Sequence, residues 1–178
     1  TSRLINLVFS LSSIFAIGKL SKELFNDKIG KLTFLVLFFY PIFFGHMAFN
    51  NKDVILAFSH IWITYLLLRY LKKQCTNVKV SRYVIFIGVL AALATGIQLV
   101  FLGSLIPIIL FTLFEIFFFK KFINKNFSRK KFFYDLIKCF IIFYLLLIFF
   151  WIDTYPNIFV LPFNFLIETL SINYQTGW

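Results

Sequence analysis

The sequence predicts an all-α membrane protein, a polytopic helical bundle of about six transmembrane helices. Of its 178 residues, 61% are hydrophobic and 28 are Phe, which is more apolar surface than a soluble monomer tolerates. Apolar runs recur along the chain, and each approaches the roughly 18 residues that a helix needs to cross a bilayer. Basic residues gather in the short segments between these runs, which is typical of membrane topology signals.

The first three spans are read directly from apolar runs. They cover residues 4–20, 32–49 and 54–71. Pro41 lies inside the second run, where it would free a backbone carbonyl and kink the helix. The third run ends in a basic segment.

Residues 83–119 carry a single charge, at Glu115. As one helix they would be about 55 Å long, nearly twice the roughly 30 Å of the hydrocarbon core. They therefore predict two helices joined by a tight turn between Gly96 and Ser104. The last run covers residues 132–151.

The net charge of +11 is distributed as in a membrane protein, so no nucleic-acid partner is predicted and the partner is the bilayer. Residues 21–31, 69–82 and 120–131 are basic, whereas only Arg3 and Lys52 of the 18 Lys and Arg fall on the other side. The positive-inside rule places the basic side in the cytoplasm. The loop that carries Asp53 then faces the periplasm or its equivalent, in the cell membrane.

A short polar patch between the second and third runs is the candidate site. Asp53 is the sharpest candidate, because helix-end N–H groups favour an anion and Lys52 stands beside it. Together they would hold a phosphate, and either a divalent metal ion or the proton of a nucleophile. The structural alternative is that Asp53 only caps the helix over residues 54–71.

The other polar residues of this region leave two interpretations open. His46 would contact phosphate, act as a base or simply lie at the interface. Asn50 and Asn51 would bind sugar hydroxyls or form a turn. His60 lies two helical turns after Asp53 on the same face, and helix packing is favoured for it. A His/Asp/His metal site is only weakly indicated, since no tight ligand spacing appears.

Three further polar residues receive mainly structural interpretations. Glu115 is expected to pair with Lys120 or Lys121, or to reach water, although an intramembrane carboxylate is a functional suspect by default. Asp135, at the start of the last run, is expected to be solvated. Gln98 would hydrogen-bond a lipid head group or a neighbouring helix.

Signatures of soluble nucleotide-binding proteins are missing from the sequence, which argues against a nucleotide as the direct substrate. The chain begins at Thr1 rather than at Met and stops at Trp178. We therefore expect residues 1–178 to be a single transmembrane domain, a fragment of a larger membrane protein.

The segment GHMAFNNKDVILAF, residues 45–58, followed by a span that ends in a basic loop, resembles one region of the type-C membrane glycosyltransferases. The resemblance is to the branch of the protein mannosyltransferases and the aminoarabinose transferases of lipid A. It extends less specifically to TSRLINLVFSLSSIFAIGKLSKELF at the start and to ALATGIQLVFLGSLIPIIL later. The patch departs from the family in having Asn51, where Pro is frequent, and the later segment in having Gln98, where a basic residue is frequent.

The resemblance implies a function. Enzymes of this kind transfer a sugar from a polyprenyl-phosphate donor to an acceptor at the outer membrane face. An acidic residue in the first outward loop is the base, and it would precede Thr1. Asp53 would be the second acidic residue of the site, supporting that base or binding a metal, while Lys52 and His46 contact phosphate or acceptor.

The sequence thus favours a membrane glycosyltransferase whose acceptor is unspecified. One alternative is a non-enzymatic flippase or transporter of lipid-linked glycans, which would place polar groups near the bilayer midplane. Another is a structural membrane subunit, in which the patch is only a loop and a cap.

Overall fold

A computed structural model describes residues 2–40, 51–74, 80–123 and 126–150, and five further positions, 157, 160, 164, 167 and 168. The described residues form six α-helices and no strand, which confirms the all-α prediction. Five of the helices are long and apolar enough to cross a membrane, α2 being the exception. The helices are α1 (Ser2–Leu24), α2 (Asp27–Phe38), α3 (Asn51–Lys73), α4 (Val80–Ile97), α5 (Phe101–Phe114, continued by a π-helical turn over Glu115–Phe119) and α6 (Arg129–Phe150).

The second predicted span differs from the structure. α2 begins at Asp27, so the predicted basic loop over residues 21–31 is mostly helical. The side chain of Asn26 starts the helix by accepting a hydrogen bond from the Ile29 N–H at 2.8 Å, as an N-cap does. α2 is about 18 Å long, shorter than the hydrocarbon core. Residues 41–50, with Pro41 and the rest of the predicted span, lie outside the described residues.

Two glycines let α1 and α2 pack as a close hairpin. A Cβ added to Gly30 would lie 2.7 Å from the Lys22 Cβ and 2.9 Å from the Gly18 carbonyl oxygen. A Cβ on Gly18 would lie 3.2 Å from the Phe34 Cβ. The backbones can approach this closely only because both positions lack a side chain, as small residues allow in membrane helices.

Asp27 holds the tip of this hairpin through two ion pairs. Its Oδ1 lies 2.6 Å from Lys22 Nζ and its Oδ2 lies 2.8 Å from Lys31 Nζ. Hydrogen bonds to these two ammonium groups lower the pKa of Asp27 from 3.8 to about 2. The carboxylate of Asp27 therefore binds a proton less tightly in the native state than in the unfolded chain.

This difference in proton affinity predicts a pH dependence. A group with a lowered native pKa contributes stability above its unfolded pKa and loses it as the pH falls through the native pKa. We expect the thermal stability that Asp27 contributes to be lost progressively between about pH 5 and about pH 1. Melting curves of wild type and Asp27→Asn should differ at neutral pH and approach each other as the pH falls through about 2; curves that stay parallel would contradict the assignment.

α3 is the central helix of the bundle, with α1 and α4 packed on it, and α6 packs on α4. Gly88 brings α4 and α6 together, because a Cβ there would lie 3.0 Å from the Cys139 carbonyl oxygen. α5 touches α3 and α4 only lightly. One apolar cluster joins α3 to α4 and α5 through Ile63, Ala91, Ala94, Phe101 and Leu105.

The three basic segments meet at one end of the bundle, in agreement with the sequence pattern. Glu23 of α1 forms ion pairs with Arg69 and Lys72 of α3, the second at 2.9 Å. Gln74, fully buried, donates to the Ser128 carbonyl at 3.0 Å and accepts from the Ser128 N–H at 2.8 Å. These contacts tie the end of α1 and the start of α6 to the end of α3; we name this the basic end.

The sequence predicted an ion pair between Glu115 and Lys120 or Lys121, and the described residues do not form it. The end of α5 widens into a π-helical turn, and Lys120 takes a left-handed backbone with φ of 51°. The chain therefore reverses, and the Phe122 N–H donates to the Glu115 carboxylate. Glu115 is only 1% exposed, while Lys120 and Lys121 are exposed, so a backbone group satisfies the carboxylate.

The prediction that Asp135 is solvated is wrong. This residue is only 7% exposed, because it lies on the face of α6 that meets α3. Its Oδ2 accepts a hydrogen bond from the Tyr70 hydroxyl at 2.8 Å, and that hydroxyl accepts one from Gln74 Nε2 at 2.9 Å. A buried polar chain thus links α3 to α6 near the basic end.

Candidate functional site

The candidate site lies at the end of the bundle opposite the basic end. α3 and α5 begin here, and α4 and α6 end here. The Ser104 hydroxyl of α5 lies 3.4 Å from His60 Nδ1 of α3, and a Cβ on Gly96 would lie 3.8 Å from the Phe150 Cβ. The starts of α3 and α5 and the ends of α4 and α6 therefore lie toward the same end of the bundle, which we call the candidate-site end. Because His60 is nine residues after Asn51, the first turn of α5 lies deeper than the first turn of α3.

Lys52 and Asp53 lie in the first turn of α3. The helix begins at Asn51, so Asp53 is within the first turn rather than before the helix. Both side chains are exposed, whereas the next residue, Val54, is buried. A carboxylate in this turn is stabilised by the positive end of the helix dipole. The structure therefore presents an acid and a base side by side at the surface of the bundle.

His60 is used in helix packing, as the favoured interpretation predicts. Its ring contacts Phe101 edge-on, with 6.2 Å between ring centroids, in addition to its approach to Ser104. It is half-buried and two turns deeper than Asp53. These contacts connect α3 to α5 beneath the site.

The link between α4 and α5 confirms the tight turn predicted between Gly96 and Ser104. α4 ends at Ile97 and α5 begins at Phe101, and the Phe101 N–H donates to the Gln98 carbonyl at 3.0 Å. The Gln98 side chain is exposed. It is therefore open to a lipid head group and is not packed between helices.

Not every predicted site residue is described. His46 and Asn50 lie outside the described residues, and of Asn51 only the backbone, at the start of α3, is described. Within the described ranges, Lys52 and Asp53 are the predicted residues that the structure brings together. The same ranges contain no group of three His, Cys, Asp or Glu that could hold a metal ion. A metal at Asp53 stays a prediction.

Sequence reasoning missed Ser104 as a partner of His60. It treated the residue only as the limit of the turn that divides residues 83–119 into two helices. The pairing depends on how α5 crosses α3, which no local pattern encodes. One sequence signal could have found it. Ser104 follows the α4–α5 turn closely enough to lie in the first turn of α5, on the same side as His60.

The apolar helices define the protein as a multi-pass membrane protein, and the first turn of α3 is polar. Over residues 1–149 the chain matches the family described as dolichyl-phosphate-mannose-protein mannosyltransferase. The chain belongs to this family, so it is a membrane glycosyltransferase by class, and a lipid-linked sugar is the donor class that this membership suggests. No curated protein and no solved structure matches the chain.

Proposed function

We propose that this chain is part of an enzyme that transfers a sugar from a polyprenyl-phosphate donor to an acceptor at the outer face of the cell membrane. The family match over residues 1–149 carries this proposal. A donor of this kind arrives within the bilayer, which suits a protein built from apolar helices with its exposed polar pair at one end.

The charge distribution supports an outward-facing Lys52–Asp53 pair. The basic segments that meet at the ends of α1 and α3 are the ones that the positive-inside rule assigns to the cytoplasm. The candidate-site end is then on the periplasmic or equivalent side. Transfer at this face would separate the sugar donor from cytoplasmic nucleotides.

The proposed chemistry is a displacement at the anomeric carbon of the sugar. The acceptor oxygen forms a bond to that carbon, the bond to the phosphate oxygen breaks, and the polyprenyl phosphate leaves with the electron pair. A carboxylate within hydrogen-bond reach takes the acceptor proton, a role that the family resemblance gives to an acidic residue of the first outward loop. Asp53 supports this base or binds a metal ion, while Lys52 and His46 stabilise the phosphate by charge-assisted hydrogen bonds. Asn50 and Asn51 bind sugar hydroxyls.

Replacing Lys52 tests the phosphate contact. A hydrogen bond to a charged group contributes about 1.5–3 kcal/mol, so Lys52→Ala should raise the donor KM about tenfold or more and change kcat less. The measurement is the initial rate of polyprenyl-phosphate release in membranes, as a function of donor concentration.

Lys28→Ala is the matched control, because Lys28 is exposed on α2 near the basic end. It should leave the donor KM at the wild-type value. An unchanged KM in Lys52→Ala, or an equal rise in both variants, would contradict the assignment of Lys52 to the donor phosphate.

A further inference from the structure

A groove lies between α1 and α2, and we call it the hairpin groove. Its volume is about 360 Å³, within the roughly 300–1,000 Å³ of small-molecule sites. Gly18 and Gly30, which bring the two helices together, are among its lining residues. The tip of the α1–α2 hairpin belongs to the basic end of the bundle, opposite to Lys52 and Asp53. Nothing in the proposed transfer reaction therefore uses this groove.

The half of the hairpin groove that is farther from the tip is apolar. It is lined by Phe15 of α1 and by Phe34 and Leu35 of α2. Phe15 and Leu35 are each 49% exposed at the surface of the bundle, and α1 is one of the helices that are long and apolar enough to cross a membrane. This half of the groove therefore faces the hydrocarbon of the bilayer and suits an alkyl chain.

The half of the hairpin groove nearer the tip is basic. Lys19, Lys22 and Lys31 line it together with Asp27, which is the one acid of the groove among the described residues. The Asp27 carboxylate is already paired with Lys22 at 2.6 Å and with Lys31 at 2.8 Å. Three ammonium groups and one carboxylate leave an excess of two positive charges. The groove thus favours an anion, and its one carboxylate is already engaged by two cations.

Lys19 carries a charge that no described carboxylate neutralises. Its Nζ lies 4.3 Å from the centre of the Phe15 ring and 5.9 Å from that of the Trp62 ring. These rings attract the ammonium group, but the described ranges contain no ion pair to it. Lys19 is half-buried and stands five residues before the end of α1, about 8 Å along the helix. A cation at this depth of a membrane span is costly, so an anionic ligand would stabilise it.

The order of apolar and basic residues along the hairpin groove matches that of a phospholipid. On α1, Lys19 is one turn nearer the tip than Phe15, and on α2, Lys31 is about one turn nearer the tip than Phe34. The phosphate of a phospholipid lies directly beside its acyl chains. A phosphate at Lys19 and Lys31 therefore places an acyl chain over the apolar half, and the outer part of the head group lies near Lys22.

We propose that the hairpin groove binds an anionic phospholipid. An acyl chain lies along Phe15 and Leu35, and the phosphate contacts Lys19 and Lys31. An outer head group with an ammonium would meet the positive charge of Lys22, whereas an uncharged one avoids this repulsion. Basic pockets between membrane helices on the cytoplasmic side are typical sites for anionic head groups, and the positive-inside rule assigns the basic end to that side.

Lipid retention tests the proposal without requiring transfer activity. The full protein is purified in detergent, exposed to equal amounts of phosphatidylglycerol and phosphatidylcholine with identical acyl chains, and analysed by native mass spectrometry. We expect wild type to retain phosphatidylglycerol at least about tenfold better, the scale of one hydrogen bond between charged groups. Phosphatidylglycerol should also raise the melting temperature of wild type, because a ligand stabilises the state that it binds.

The double variant Lys19→Gln/Lys31→Gln should lose the preference, with a retention ratio near one, and should lose the rise in melting temperature. The groove then holds only the Lys22–Asp27 pair, which is neutral. Because that pair remains at the hairpin tip, the hairpin is retained. Lys28→Gln is the matched control, since Lys28 is an exposed lysine of α2 that does not line the groove. This variant should keep the preference.

Four outcomes would overturn the proposal. The first is equal retention of the two lipids by wild type, a comparison that holds even if the double variant fails to fold. The second is a preference that survives in the double variant or is lost in Lys28→Gln. The third is displacement of phosphatidylglycerol by glycerophosphate, which has no acyl chains and would assign the lysines to a soluble anion. The fourth is retention of neither lipid by the full protein, which would leave the groove to another protein segment.

Discussion

Asp53→Asn should lower sugar transfer by about 10- to 100-fold, the usual loss when a group that supports a catalytic or metal-binding residue is removed. The substitution removes the negative charge that supports the base or a metal ion. It keeps a polar side chain of the same size in the first turn of α3, so the helix is retained. The measurement is the initial rate of polyprenyl-phosphate release, together with the melting temperature of both proteins.

The melting temperature separates chemistry from helix stability. A purely structural role in the first turn would cost about 0.3–1 kcal/mol of helix stability and leave the transfer rate near that of wild type. Asp27→Asn is the matched control, because it removes an exposed carboxylate at the opposite end. Full activity of the Asp53→Asn variant would show that Asp53 has only a structural role and would contradict the prediction.

Gly30→Ala should destabilise the protein by about 1–3 kcal/mol, the usual cost of forcing a methyl group into a packed interface. The new Cβ would lie 2.7 Å from the Lys22 Cβ and 2.9 Å from a backbone oxygen. Neither atom is the end of a flexible side chain, so α1 and α2 must move apart. Equilibrium unfolding in mixed micelles measures this loss.

Gly103→Ala is the control for helix propensity. A Cβ at Gly103 has no heavy atom within 4 Å, and alanine is favoured over glycine in a helix interior by about 1 kcal/mol. This variant should match or exceed wild-type stability. If Gly30→Ala were equally stable, the α1–α2 hairpin would not depend on the close approach of Gly30 to Gly18.

Much of the fold follows from hydropathy and charge. Residues 83–119 are too long for one crossing, and the turn predicted between Gly96 and Ser104 is the link between α4 and α5. The α1–α2 hairpin was not predicted correctly, because three lysines gave residues 21–31 the appearance of a loop. Asn26 starts a helix there, and Asp27 pairs with two of the lysines, which makes a charged helical hairpin stable.

The roles of two carboxylates depended on tertiary contacts that no local pattern encodes. Glu115 stands near two lysines in sequence, yet the left-handed turn at Lys120 offers it a backbone N–H instead. Asp135 stands at the start of the last apolar run, a position that suggested a solvated residue. Its burial depends on the packing of α6 beside α3, where Tyr70 supplies the hydroxyl.

The sequence predicted which segment carries the candidate site, but it did not predict how the side chains of the site are arranged. The sequence placed Lys52 and Asp53 at the start of a span, and the structure has them in the first turn of α3. Their relation to His46 and Asn50 depends on residues 41–50, which lie outside the described part of the chain. The family match over residues 1–149 supports the reaction class, whereas the residue roles rest on position and chemistry.

The most direct test of the account compares two sugar donors in proteoliposomes that contain the full protein and its native membrane extract. A polyprenyl-phosphate sugar is supplied in one sample and a nucleotide sugar in the other, and incorporation of labelled sugar into product is followed. We predict incorporation from the lipid-linked donor only, with the rate lowered in Asp53→Asn. Incorporation from the nucleotide sugar alone, or movement of the lipid-linked sugar across the bilayer without transfer, would contradict the account.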